Sequence, residues 1–289
     1  MAVLTWDGAG ERIYETGVDR GVLYIPDSSG AYTDGVAWNG LVTVTETPSG
    51  AEPNAQYADN VKYLNLFSAE EFGGTIEAFT YPDEFAPFDG LGVPAPGLTI
   101  GQQARRTFGL SYRTKLGNDI DGDDYGYKLH LVYGCSASPS EKAYTTINDS
   151  PEAITFSWEL TTVPVAVTDA RPTSILTVDS TMVDSGDLEI LENFLYGTAG
   201  TDPSLPLPDA VISIFSGTAV QVTPTEPSYN SATDTITIPS VTGVTYYINN
   251  VAQAAGAVVI TEDTVVTARP NNGYYFPANV DDDWFYDFT

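Results

Sequence analysis

The sequence predicts a mainly β protein with one flanking α-helix and a small C-terminal β-sandwich. Three observations carry this. The 26 Gly and 19 Pro are spread along the 289 residues and punctuate short segments, the pattern of an all-β chain. Several of those segments alternate apolar and polar residues with period two. One segment alone switches to helical spacing.

The strand signals come in order. Val61, Tyr63 and Phe67 alternate in one segment, and Phe108, Leu110 and Tyr112 in the next. Tyr125, Tyr127, Leu129, Leu131 and Tyr133 form the longest regular run, with Lys128 and His130 on the reverse face. Ile154, Phe156, Trp158 and Leu160 repeat the pattern against Thr155, Ser157, Glu159 and Thr161. Alternation implies one buried face and one that is wet or set against a partner.

The helix is expected at 185–197. Ser185 is the expected N-cap, and Asp187 sits in the first turn where the helix dipole favours negative charge. Leu188, Leu191 and Leu195 fall at helical spacing, widened by Ile190 and Phe194. Gly197 is suited to end it.

Two polar stretches interrupt the strands. Residues 45–60 hold little that is apolar besides Tyr57. So long a loop is uncommon in a compact domain unless it is functional or disordered. Residues 218–227 are rich in Thr and Pro and read as a linker. The organisation expected is therefore a domain over 1–217, the linker over 218–227 and a second domain over 228–289. In the last, Thr235–Ile238, Thr245–Ile248, Val258–Ile260 and Thr264–Ala268 read as strands, with turns at Asn249–Asn250 and Asn272–Gly273.

Charge and rare residues exclude whole classes of function. Eleven Lys and Arg face 39 Asp and Glu, for a net charge of -28. A chain with so few cations does not hold nucleic acid or anionic lipid by counterion release. The single Cys135 cannot form an intrachain disulfide and reads as a buried thiol. The single His130 excludes His-pair zinc sites, and its mid-strand place marks it as structural or interfacial. Met1–Asp7 has neither a basic flank nor an apolar run, and Ala252–Ile260 is too short to span a bilayer, so a soluble chain made in the cytosol is expected.

Little nominates chemistry. Asp119, Asp121 and Asp123 alternate as calcium loops do, but the Gly is misplaced and no closing Glu follows. A turn between two strands is the stronger reading. The segment 71–74 lacks the Lys-Ser/Thr of a phosphate loop. The aromatics between Phe72 and Phe88 suit core or interface packing better than sugar stacking. No catalytic, cofactor-binding or metal-binding residues are expected, and the chain is read as not an enzyme.

One resemblance adds to this reading. Residues 11–24, Ala37–Leu41, Gly74–Phe85, Thr107–Thr114, Leu116–Tyr133 and Ile154–Leu160 together resemble the major tail protein, or tail tube protein, of long non-contractile-tailed bacteriophages. The match covers 1–217. It implies a subunit of two packed β-sheets with a flanking helix. Six such subunits form a ring, and rings stack into a tube that conducts viral DNA during genome ejection. The polar loop, here 45–60, would reach the neighbouring ring and order on assembly. Implied partners are further copies of the chain, the tape measure, tail terminator and distal tail proteins, and DNA passing through the lumen without specific binding. The expected place is the virion, with no membrane contact. Residues 228–289 look like an immunoglobulin-like decoration on the tube exterior, with a host-surface glycan as a further expected partner. The alternative reading is a surface adhesin or carbohydrate-binding protein.

Overall fold

The structure is a computed structural model that describes residues 6–147, 149–150, 152–217, 220–249, 251–271, 273–277 and 280–288. It is mainly β. The chain forms two compact units. The first comprises Met1–Leu23, Ala37–Val165 and Pro172–Thr177. The second comprises Tyr24–Val36, Ala166–Arg171 and Val178–Thr289.

The longer strands come first in the chain. They are β1 (Tyr14–Pro26), β2 (Tyr32–Trp38), β3 (Leu41–Glu46), β4 (Pro53–Ala58) and β5 (Val61–Phe67). Then come β6 (Gly73–Ala78), β7 (Phe108–Asn118), β8 (Gly122–Ala137), β9 (Phe156–Thr162) and β10 (Ile175–Asp179). Hydrogen bonding runs in the order β2-β1-β7-β8-β9-β6-β3, and β10 pairs with β8. The resemblance implies two packed sheets; the observed ladder is one continuous path. β7 and β8 form the longest hairpin, with Ser111 opposite Leu131 and Arg113 opposite Leu129. Only the last residues of β8 pair with β9, Cys135 opposite Thr162 and Ala137 opposite Leu160. The hand-over is made at Gly134, whose φ is +61°. A Cβ there would sit 2.3 Å from the Val163 carbonyl oxygen, so only glycine permits the approach.

Alternation understates burial in the middle of this hairpin. Leu129, His130, Leu131, Val132 and Tyr133 are all buried. Both faces of β8 are therefore covered there. One nucleus of the first unit is aromatic. Phe85, fully buried, packs against Trp38 at 4.7 Å, Trp158 at 5.3 Å and Phe108 at 5.5 Å. Burying such a ring contributes about 1.5–3 kcal/mol. Phe88 joins the same cluster, so Phe85 and Phe88 serve the core, as their sequence context suggests. Beside it the buried Asp89 is held by Lys142 at 2.6 Å and Arg105 at 3.5 Å. A buried carboxylate persists only when paired in this way.

The second unit holds two helices, α1 (Ser185–Tyr196) and α2 (Pro208–Phe215). Leu188, Leu191 and Leu195 are the buried stripe of α1. Two expectations are corrected. The N-cap is Asp184, not Ser185: its carboxylate accepts from the backbone N–H of Gly186 at 2.8 Å. Asp and Ser are near-equal caps, and the chain simply bends one residue earlier. The second correction is α2, since the sequence predicts one α-helix and the described residues hold two. Pro208 opens α2, Asp209 follows in its first turn, and Val211 and Ile214 are buried. Pro at the first helical position costs no hydrogen bond. Tyr24 donates its hydroxyl to the Leu195 carbonyl at 2.8 Å, which satisfies one orphan acceptor at the end of α1.

Residues 228–288 of this unit carry β11 (Ser228–Asn230), β12 (Thr235–Ile238), β13 (Val244–Ile248), β14 (Val251–Gln253), β15 (Gly256–Val259), β16 (Thr264–Pro270) and β17 (Asp283–Tyr286). They form a three-stranded sheet, β11-β12-β15, and a four-stranded sheet, β14-β13-β16-β17. Ile236, Ile238, Tyr246, Val266, Trp284 and Tyr286 are buried together between these strands. Ile248 pairs with Val251 across the expected turn. Asn249 has φ 51° there, while Asn250 lies outside the described residues. At the other expected turn Gly273 has φ +79°, and Asn272 is outside them too. Met1–Thr5, part of the segment read for a leader, is also outside them. Of the linker stretch, residues 218 and 219 are not described, Val220–Gln221 pair in parallel with Tyr274–Tyr275, and Thr225 exchanges hydrogen bonds with the Tyr246 hydroxyl at 2.7 and 2.8 Å.

Candidate assembly surface

The stretch expected to be a long polar loop is a hairpin with an apolar strand. Residues 45–60 contain the end of β3, the short Ser49–Gly50 strand paired with Glu70–Glu71, and all of β4. β4 pairs with β5 from Pro53 opposite Phe67 to Ala58 opposite Val61. The turn between them is Asp59–Asn60, with φ of 50° and 63°. Two positive values in a two-residue loop match the twist of the flanking strands. Asn and Asp tolerate that conformation better than other non-glycine residues. The register shifts between Gln56 and Tyr57, which leaves Tyr63 without a directly opposed residue. Such a bulge sharpens local twist and re-aims side chains.

The whole of β5 is exposed. The expected buried face of Val61, Tyr63 and Phe67 is therefore corrected: their relative exposures are 60%, 72% and 66%. Leu66, at 56%, and Tyr57, at 72%, add to the same hairpin. Among the described residues no other strand pairs with β4 or β5. An isolated two-stranded hairpin is marginal in water, and a contiguous apolar exposure of this kind marks an interaction surface. The signal was present in the sequence as apolar residues at both odd and even positions of 61–67. A strand wetted on one side would not need Leu64 and Leu66 as well.

A second surface is polar. β9, β6 and β3 lie side by side, and their registers align Thr43, Glu77 and Ser157 in one row and Thr45, Thr75 and Glu159 in the next. The row between them, on the opposite face, carries Trp158, Ile76 and Val44, where Trp158 and Ile76 are fully buried. This is the alternation expected of β9, extended over three strands.

The remaining sequence candidates are structural. Asp119, Asp121 and Asp123 do not converge. Asp119 accepts from the Gly10 N–H at 3.0 Å, Asp121 from the Asn118 amide at 3.0 Å, and Asp123 from the Tyr14 hydroxyl at 2.9 Å. Asn118 closes the turn by accepting from the N–H groups of Ile120 and Asp121. Cys135 is fully buried, and burial pushes its thiol well above the ordinary range. Among the described residues no group of three or more His, Cys, Asp and Glu side chains could hold a metal ion. No described helix is long and apolar enough to cross a membrane.

His130 sits in a hydrogen-bonded cluster. Its ring stacks on Tyr112 with centroids 4.6 Å apart and planes 4° from parallel. Thr114 donates to Glu15 at 2.6 Å and lies 3.0 Å from His130 Nε2. With its proton spent on Glu15, the Thr114 oxygen is the acceptor and Nε2 the donor. Nδ1 is then bare, 3.3 Å from Glu46. Glu46 also accepts from the Tyr112 hydroxyl at 2.5 Å, and Lys128 pairs with Glu15 at 2.7 Å. Burial lowers the His130 pKa, and Glu46 and Glu15 offset only part of that. Nearby, Arg113 grips Asp19 through two bonds of 2.7 Å, which holds that carboxyl below its usual range.

No protein family and no curated protein matches the chain. Among solved structures, a chain of the cryo-EM structure of the anti-feeding prophage baseplate, six-fold symmetrised, is similar over 55% of this chain and 93% of its own length. The identity is 11% and the TM-score 0.26. At that score the likeness bears on neither fold nor function.

Proposed function

We propose that the chain is a structural subunit of a phage tail tube. Six copies form a ring, rings stack, and the lumen conducts viral DNA without chemistry. The observation that carries this is the β4–β5 hairpin, whose apolar residues have no cover among the described residues. A subunit that polymerises through the hairpin would bury Tyr63, Leu66 and Phe67 against the next copy, and the strand edges would add backbone pairing. The polar rows on β3, β6 and β9 suit the wall of a lumen. The acidic excess keeps a polyanion from adhering. The sequence resemblance supports the same assignment. Residues 228–289, joined through 218–227, are proposed as the exterior immunoglobulin-like decoration. Tape measure, terminator and distal tail proteins would be the other partners, in the virion.

A double substitution tests it. Tyr63→Ser with Phe67→Ser changes exposed residues only, so each should change the unfolding free energy by no more than about 0.5 kcal/mol. Supplied with a tail initiator, wild-type protein should sediment as tubes and the variant should stay in the supernatant. A variant that sediments like wild type would overturn the role given to the hairpin.

A further inference from the structure

Asp282 stands just before β17 in the second unit, and its place is unusual for a carboxyl group. It is 3% exposed. Among the described residues its Oδ1 has no hydrogen-bond partner. It lines a cavity of about 130 Å³ bounded also by Thr201, Asp202, Leu205, Ala268 and Arg269. Two segments meet here. One is the turn after α1, where Thr198 and Thr201 bridge and Gly200 has φ +106°. The other is the approach to β17. A Cβ on Gly200 would lie 3.0 Å from the Val280 carbonyl oxygen. The Asp282 carbonyl accepts from the Ala268 N–H at 2.6 Å. The turn therefore seats directly over the buried carboxyl.

The groups around it disfavour charge. Burial is the largest influence, and Asp283 and Asp202 repel a second negative charge; Thr201, beside the carboxyl, works the other way and offsets only part of this. Arg269 on β16 stacks its guanidinium over Tyr247 at 4.6 Å. Tyr32 and Tyr274 also face the cavity. The balance pushes the Asp282 pKa up to about 7.

We propose that Asp282 is a proton-dependent latch that holds the 198–207 turn against β16 and β17 when neutral and releases it when ionised. The sign follows from linkage. In the open state Asp282 is an ordinary solvated carboxyl and ionises near 3.8. In the closed state it keeps its proton to near neutrality. Rising pH between those values weakens closure by about tenfold per unit, and above about 7 the effect levels off.

Hydrogen exchange on the full chain tests this. Protection factors of 198–207 and 267–283 are compared from pH 4.5 to 8 in wild type, Asp282→Asn and Asp202→Asn. Wild-type protection should fall more than tenfold from pH 4.5 to 7 and then flatten. Asp282→Asn should remove the pH dependence. Asp202→Asn takes away a neighbouring charge, so the plateau should begin at lower pH. Should Asp282→Asn fail to fold, the wild-type profile and the Asp202→Asn shift decide. Flat wild-type protection, a slope kept in Asp282→Asn, or a plateau unmoved in Asp202→Asn would each overturn the latch.

Discussion

At the scale of single residues, this molecule places titratable groups where burial competes with charge. His130 is the clearest case in the first unit. Its folded-state pKa lies below the ordinary 6.5 because burial penalises the imidazolium more than Glu46 and Glu15 reward it. The folded state therefore prefers the neutral ring. That contribution to stability is complete above about pH 6.5 and is lost as pH falls through 6.5 toward the folded value. Asp282 acts in the opposite sense in the same window, so the His130 contribution is read as a difference. Urea midpoints measured from pH 7.5 to 5 should fall more steeply in wild type than in His130→Gln. The same slope in both would show that His130 does not carry the effect. The sequence marked His130 as structural or interfacial by its mid-strand position. It could not show the stacked Tyr112 or Glu46, because those meet it only through strand register and a distant chain segment.

At the scale of elements, legibility followed local pattern. α1 was legible because its Leu188–Leu191–Leu195 stripe is helical and Gly197 ends it with φ 73°. Leu191 is fully buried. Leu191→Asp should leave an unpaired buried charge and destabilise the protein by more than about 3 kcal/mol. Thermal unfolding checks this, and a midpoint within a degree or two of wild type would contradict the packing described. α2 was missed because its eight residues are short and flanked by prolines, yet Pro208 and Asp209 are ordinary helix-start residues. β17 was missed because Asp281–Asp283 reads as loop, although Trp284 and Tyr286 alternate inward after it. The β4–β5 hairpin was half legible. The apolar alternation of 61–67 is plain in the sequence, but it does not fix burial. Alternation reports that a face is apolar; whether this chain or another covers it depends on tertiary context.

At the scale of the whole molecule, the charge of -28 is the dominant property. Residues 1–200 hold 29 acidic and 10 basic residues, and the remainder 10 and one. A ring of six chains would carry -168, six times -28. In the proposed tube only charges within a Debye length of the DNA, roughly 8 Å at physiological salt, would act on it. Glu77 and Glu159 on the polar rows are the candidates the fold offers. Negative-stain electron microscopy of the full chain, concentrated and supplied with a tail initiator and tape measure protein, decides whether the chain builds a tube. The proposed function predicts stacked rings of six-fold symmetry around an open lumen. Monodisperse single subunits at every concentration, or an ordered assembly without a lumen, would contradict it.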